Sequence, residues 1–222
     1  AGAIRFSGVS DYVIANNNFV NASVVDDGGS NIEISGNRFK SSGNGFGAIQ
    51  LNNSTNILVK DNTMTELYAK TSSIGDAQGS KIGRGISAIN SDEITISGNT
   101  VSGAVGEGIY IENIGISQNN IITNNIVTDL RVDLDTNLEA GIFVRNNVDG
   151  AIKIIGNTIA DINQTEGEGY LPSDSSNGTD SIELNICRGG VHTSTFSAFT
   201  DDKAGSCSND TTLTADVSNN YL

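Results

Sequence analysis

The chain has 222 residues, with 26 acidic against 12 basic side chains and a formal net charge of −14. That balance argues against nucleic acid, whose phosphates need Lys and Arg to replace their counterions, and no apolar stretch is long enough for a membrane-spanning helix. Twenty-six Gly, one Pro, no Trp and 17% charged residues fit short strands and turns, whereas helices draw on Leu, Ala, Glu and Lys.

In chain order, a short run of β type opens each repeat: Ala3–Phe6, Ser23–Asp26, Ala48–Leu51, Gly85–Ala88, Gly108–Ile111, Gly141–Val144 and Ser181–Leu184. Each begins on a small residue. After each comes an alternating apolar pair, an Asn and a further apolar residue, as in Tyr12-Ile14-Asn17-Phe19 and Ile32-Ile34-Asn37-Phe39. The pattern recurs at Asn62, Asn99, Asn125, Asn157 and Asn220. Alternation predicts strands, and recurrence predicts a solenoid of about seven coils, all-β and one domain over residues 1–222. From the first apolar residue of the run to the Asn there are thirteen positions in each of the first four repeats, as from Ile4 to Asn17. The chain must turn sharply at the Asn, which tolerates left-handed backbone and whose amide can bond the Asn of the next coil. Asp26 falls where the strand pattern expects an apolar residue, which predicts a distorted coil there.

Length varies mostly between the Asn turn and the next small-residue strand. The longest excursions run from Met64 to Arg84, Val127 to Ala140, Ile159 to Asp180 and Ile186 to Thr214, and are expected on one side of the stack, where they can wall a groove. The 36% hydrophobic content is low for a broad core but sufficient for a narrow internal column of Ile, Val and Leu.

These residues resemble the right-handed parallel β-helices built of pectate-lyase-like repeats, whose consensus joins a Gly-Ile-x-Leu strand to an Ile-x-Ile-x-x-Asn-x-Ile element. The resemblance covers nearly the whole chain. It implies the fold without choosing a function, since that superfamily includes polysaccharide lyases, hydrolases, epimerases, phage spikes and adhesins. In the enzymes it implies a substrate groove near the outward face of the small-residue strands.

On that face the outward residues are Arg5, Val25, Gln50, Ser87, Tyr110, Phe143 and Glu183, with a second row of Ser7, Asp27, Asn52, Ile89, Glu112, Arg145 and Asn185. Gln50, Asn52, Tyr110, Glu112, Phe143, Arg145 and Glu183 are the candidate ligand-binding residues, because aromatic faces with carboxylate, amide and guanidinium groups suit sugar hydroxyls. If the chain is an enzyme, Tyr110, Glu112, Arg145 and Glu183 are the catalytic candidates, with Arg145 beside Tyr110 for proton abstraction. The competing reading is an aromatic ladder of Tyr110 over Phe143 and a cross-strand ion pair of Glu112 with Arg145. Glu112 and Glu183, two coils or roughly 10 Å apart, are poorly placed as a hydrolytic pair.

Asp133, Asp135, Asn137 and Glu139 put oxygen ligands on alternate residues, which suits Ca2+ as the one candidate cofactor, against the alternative of a solvated acidic loop. Cys187 and Cys207, the only cysteines, lie in the last excursion. Their pairing would close a loop of roughly twenty residues, contribute about 3 kcal/mol, and point to an extracellular or cell-surface location.

The chain enters directly on a repeat strand and stops within an Asn element, which predicts an open-ended solenoid or a segment of a longer one. Its partners would be further coils of the same chain or end-to-end copies. Two functions follow. One is an extracellular structural or adhesive β-helix, such as a filament subunit or a segment of a surface protein. The other is a polysaccharide-active lyase, hydrolase or epimerase acting along the outward face.

Overall fold

The computed structural model of the chain describes residues 2–40, 47–67, 83–104, 107–113, 118–130, 141–146, 150–162, 182–186, 191–194, 199–201 and 213–220. Among them there is no helix, and three-strand coils follow one another. The first is β1 (Gly2–Ser7), β2 (Tyr12–Ala15) and β3 (Asn18–Val20), and the second β4 (Ala22–Asp27), β5 (Ser30–Ser35) and β6 (Arg38–Lys40). The third is β7 (Ile49–Asn52), β8 (Thr55–Lys60) and β9 (Thr63–Thr65), and the fourth β10 (Ile86–Ile89), β11 (Asp92–Ser97) and β12 (Thr100–Ser102). The fifth is β13 (Ile109–Asn113), β14 (Gln118–Thr123) and β15 (Ile126–Leu130), and the sixth β16 (Ile142–Asn146), β17 (Gly150–Ile155) and β18 (Thr158–Ile162). A seventh turn is carried by β19 (Ile182–Ile186) and β22 (Leu213–Ser218), with β20 (Val191–Ser194) and β21 (Phe199–Asp201) between them in sequence. Six coils are thus complete among the described residues, against about seven read from the repeats.

Stacking of equivalent strands makes three parallel sheets. Sheet A runs from β1 through β4, β7, β10, β13 and β16 to β19 and β21, and sheet B from β2 through β5, β8, β11, β14 and β17 to β22 and β20. Sheet C holds β3, β6, β9, β12, β15 and β18. The sharp turn read at each Asn is the corner between sheets B and C, as between β2 and β3 at Asn17.

Alternation sends every second side chain inward. Ile34, Ile49, Ile86, Ile94, Ile96 and Ile109 have no exposed surface, and each such burial stabilises by about 1.5–3 kcal/mol. In the first two coils aromatic rings fill the column: Phe6 stacks on Tyr12 at 4.1 Å between centroids, and Phe19 on Phe39 at 4.7 Å. The small residue opening each sheet A strand has a packing cause. A Cβ on Gly85 would lie 2.5 Å from Cγ1 of Val101, so the chain passes flush against sheet C of its own coil.

The Asn residues form one continuous ladder. In each step from Asn17 through Asn37, Asn62, Asn99, Asn125 and Asn157 to Asn220, the backbone N–H and Nδ2 of one Asn both donate to Oδ1 of the next, over 2.7–3.1 Å. From Asn37 onward Nδ2 also donates to a carbonyl of the preceding coil, Ile14, Ile34, Val59, Ile96, Ile122 and Ile154 in turn, over 2.8–3.0 Å. These buried amides are thereby satisfied, which a buried polar group requires.

The left-handed residue at that corner is not the ladder Asn but the one before it, which corrects the sequence reading. Asn16, Gly36, Asp61, Gly98, Asn124, Gly156 and Asn219 have φ between 54° and 69°. They alternate strictly between Asx and Gly. A Cβ on Gly36, Gly98 or Gly156 would lie 2.5–2.6 Å from Oδ1 of Asn16, Asp61 or Asn124, so each Asx side chain occupies the space that the next coil's Gly leaves.

The expected distortion at Asp26 does not occur. β4 pairs in unbroken register, Asp26 standing between Phe6 and Leu51, because donors inside the coil satisfy its carboxylate. Of the four long excursions, three join a sheet C strand to the next sheet A strand, as read from the sequence. The fourth leaves from another corner, since β19 belongs to sheet A and β22 to sheet B.

Candidate functional site

Sheet A carries the outward columns in the expected register. Val25, Gln50, Ser87, Tyr110, Phe143 and Glu183 are successive neighbours in one, and Asp27, Asn52, Ile89, Glu112, Arg145 and Asn185 in the other. Gln50 and Asn52 are partly exposed and lie in the third coil, two strands from Tyr110 and Glu112. The structure describes the backbone of Arg145 and Glu183 but not their side chains. Asp133, Asp135, Asn137, Glu139, Cys187 and Cys207 lie outside the described residues.

Tyr110 is the centre of the site. Its ring stacks on Phe143 at 5.5 Å and 4°, and the two are 7% and 5% exposed, which makes an outward-facing pair nearly as dry as the core. The Arg84 guanidinium lies over the same ring with Cζ 3.6 Å from its centroid. A cation that close does not fit between rings 5.5 Å apart, so Arg84 covers the opposite face of Tyr110, toward the fourth coil, a cation–π contact strengthened by desolvation. Arg84 Nε in turn donates to Glu107 Oε2 at 2.7 Å, in an ion pair whose side chains are 16% and 10% exposed.

The Tyr110 hydroxyl donates to Glu112 Oε2 at 2.6 Å. Burial, then that hydrogen bond and the nearby carboxylate charge, push the phenol far above its ordinary value, with Arg84 pulling weakly the other way. Tyr110 is therefore a neutral donor at physiological pH. It cannot accept a proton there, so proton abstraction by Tyr110 is chemically disfavoured. The hydroxyl of Ser87, next to Tyr110 in the column, is buried and has no hydrogen-bond partner among the described residues.

The structure thus brings together Tyr110, Phe143 and Glu112 from the sequence-derived set and adds Arg84 and Glu107. These two were missed because they precede the strands, at the edge of the variable segments. A signal existed: Arg84-Gly85-Ile86 and Glu107-Gly108-Ile109 place opposite charges at one position of adjacent coils. Tyr110 and Phe143 stack as rungs of an aromatic ladder. Glu112 and Arg145 are direct register partners.

No group of three or more His, Cys, Asp or Glu side chains that could hold a metal ion occurs among the described residues. No helix among them is long and apolar enough to cross a membrane. Searches of curated proteins and of solved structures return no match. The family described as "right handed beta helix region" matches residues 2–186. With that match spanning most of its length, and with three parallel sheets wound as successive coils, the chain belongs to the right-handed β-helix family.

Proposed function

We propose that this chain is a structural or adhesive β-helix of the cell exterior, whose stacked coils hold the segments between sheets C and A in a row for contact. The observation that carries this reading is the commitment of the Tyr110 cluster to itself. One ring face is taken by Phe143 and the other by Arg84, the hydroxyl is donated to Glu112, and the guanidinium is paired with Glu107. Side chains so engaged are positioned to stiffen the sheet face rather than to bind and turn over a sugar. The net charge of −14 supports the same reading, since it opposes close approach of acidic polysaccharide.

In this reading the partners are further coils of the same repeat, in this chain or another copy. The one-directional ladder supports it, because any coil with Asn at the same corner extends the series. The extracellular location rests on pairing of Cys187 with Cys207, which peptide mapping without reduction would detect as one cross-linked species. Calcium at Asp133, Asp135, Asn137 and Glu139 is part of the proposal and would appear as a Ca2+-dependent rise in thermal midpoint.

Electron microscopy and glycan turnover together test the function. Linear assemblies, with no oligosaccharide released from neutral or acidic glycans with or without Ca2+, are the expected result. Dispersed particles that release oligosaccharide, and lose that activity in Arg145→Ala, would replace this reading with the enzymatic one.

A further inference from the structure

Within its register column from Phe6 to Leu184, Asp26 is the one charged residue among apolar ones, with Phe6 and Leu51 as its partners and no exposed surface. Among the described residues it forms no ion pair. Its donors come from three successive coils instead. The Tyr12 hydroxyl of the first coil donates to Oδ1 at 2.8 Å, the Gly29 N–H of its own coil donates to Oδ2 at 3.1 Å, and the Ser54 hydroxyl of the third coil donates to Oδ2. Room is kept for it: a Cβ on Gly29 would lie 2.6 Å from Oδ1.

An aliphatic column alone leaves the register of parallel strands open in steps of two, because a two-residue slip keeps the same faces inward. A buried carboxylate removes that freedom, since any slip takes it away from its donors and strands a desolvated charge. The Asn ladder supplies such a constraint only at the corner between sheets B and C. At the corner between sheets A and B, exposed side-chain bonds join Ser30 to Ser10, Asn31 to Asp11 and Asn53 to Asp27, while the buried polar contacts among the first three coils converge on Asp26.

We propose that Asp26 is a register key, a positioning residue that specifies which residues of β1, β2 and β7 stack against the second coil. It acts through Tyr12 and Ser54 and makes a single alignment of the first three coils far more favourable than its two-residue neighbours.

The test is Asp26→Leu in the full chain, with urea denaturation read beside amide NMR spectra. Leu restores the apolar column and removes the charge together with its desolvation. The expected result is an unchanged or raised urea midpoint with amide signals of residues 2–60 split into two or more slowly exchanging sets. One sharp set at that midpoint overturns the proposal, because the column and the Asn ladder then suffice. If Asp26→Leu does not fold, Tyr12→Phe and Ser54→Ala decide by hydrogen exchange. Acceleration of about tenfold confined to the first three coils supports the key, and equal acceleration through β10 to β18 overturns it.

Discussion

Asn99 shows what a single ladder position carries. Its Oδ1 receives the N–H and Nδ2 of Asn62 at 3.0 Å each, while its own Nδ2 donates to Asn125 Oδ1 at 3.0 Å and Val59 O at 2.9 Å. Asn99→Ala would leave buried donors on one side and acceptors on the other without partners, at about 1–3 kcal/mol for each group stranded. The expected loss is therefore at least about 3 kcal/mol, read as a fall in urea midpoint at unchanged slope. The two buried phenols give a second prediction. Tyr12 and Tyr110 are both held far above the ordinary value of 10.0, first by burial and then by their bonds to Asp26 and Glu112. The unfolded chain releases these protons once pH passes about 10 while the folded chain keeps them, so stability is full below that pH and falls as pH rises above it. Urea midpoints measured from pH 8 to 11 should show that decline, and Tyr12→Phe with Tyr110→Phe should flatten it. Arg84→Ala should remove the cover from Tyr110 and leave buried Glu107 unpaired, lowering the thermal midpoint and raising phenol accessibility in ultraviolet difference spectra.

At the scale of the strand and its corner, the alternating Asx and Gly before each ladder Asn is the most specific device in the chain. Gly98 combines a φ of 65° with a would-be Cβ 2.5 Å from Asp61 Oδ1. Gly98→Asn should therefore cost about 1–3 kcal/mol from strain and collision together. Asp61→Gly in the same chain should recover part of that cost, because it vacates the space; a double-mutant cycle with no coupling would sink the explanation. The strands themselves were legible because their period of two is local: each apolar pair and the Asn after it are read within eight residues. The corner was read less well. Asn was assigned the left-handed backbone on propensity, whereas tertiary bonding along the ladder holds it in ordinary φ and passes the left-handed conformation to its neighbour, where Asx and Gly share it. Asp26 reads as a fault in the strand from the sequence because its donors are distant along the chain, Tyr12 fourteen and Ser54 twenty-eight residues away.

For the whole molecule, the winding was readable because each coil repeats the last, and a fixed distance from Ile4 to Asn17 and from Ile86 to Asn99 leaves little freedom in how coils superpose. The face of the site was readable for the same reason. Once the register is known, the columns holding Tyr110 with Phe143 and Glu112 with Arg145 follow. Arg84 and Glu107 were not, since they sit where segment lengths vary and no period marks them. Coil-by-coil construction makes stability close to a sum of coil and interface contributions. Asn37→Ala and Asn157→Ala, far apart along the axis, should consequently give additive losses in urea midpoint, while Asn99→Ala with Asn125→Ala should not.

The side chains of Asn16, Asp61 and Asn124 each reach across to a glycine in the following layer, so the true structural unit is a doublet of turns. Excising or duplicating one turn would set two bulky neighbours against each other, or leave two glycines facing an unfilled gap. Lengthening or shortening this rod without penalty should therefore proceed two layers at a time, and any natural or engineered variant of it is expected to differ by an even number.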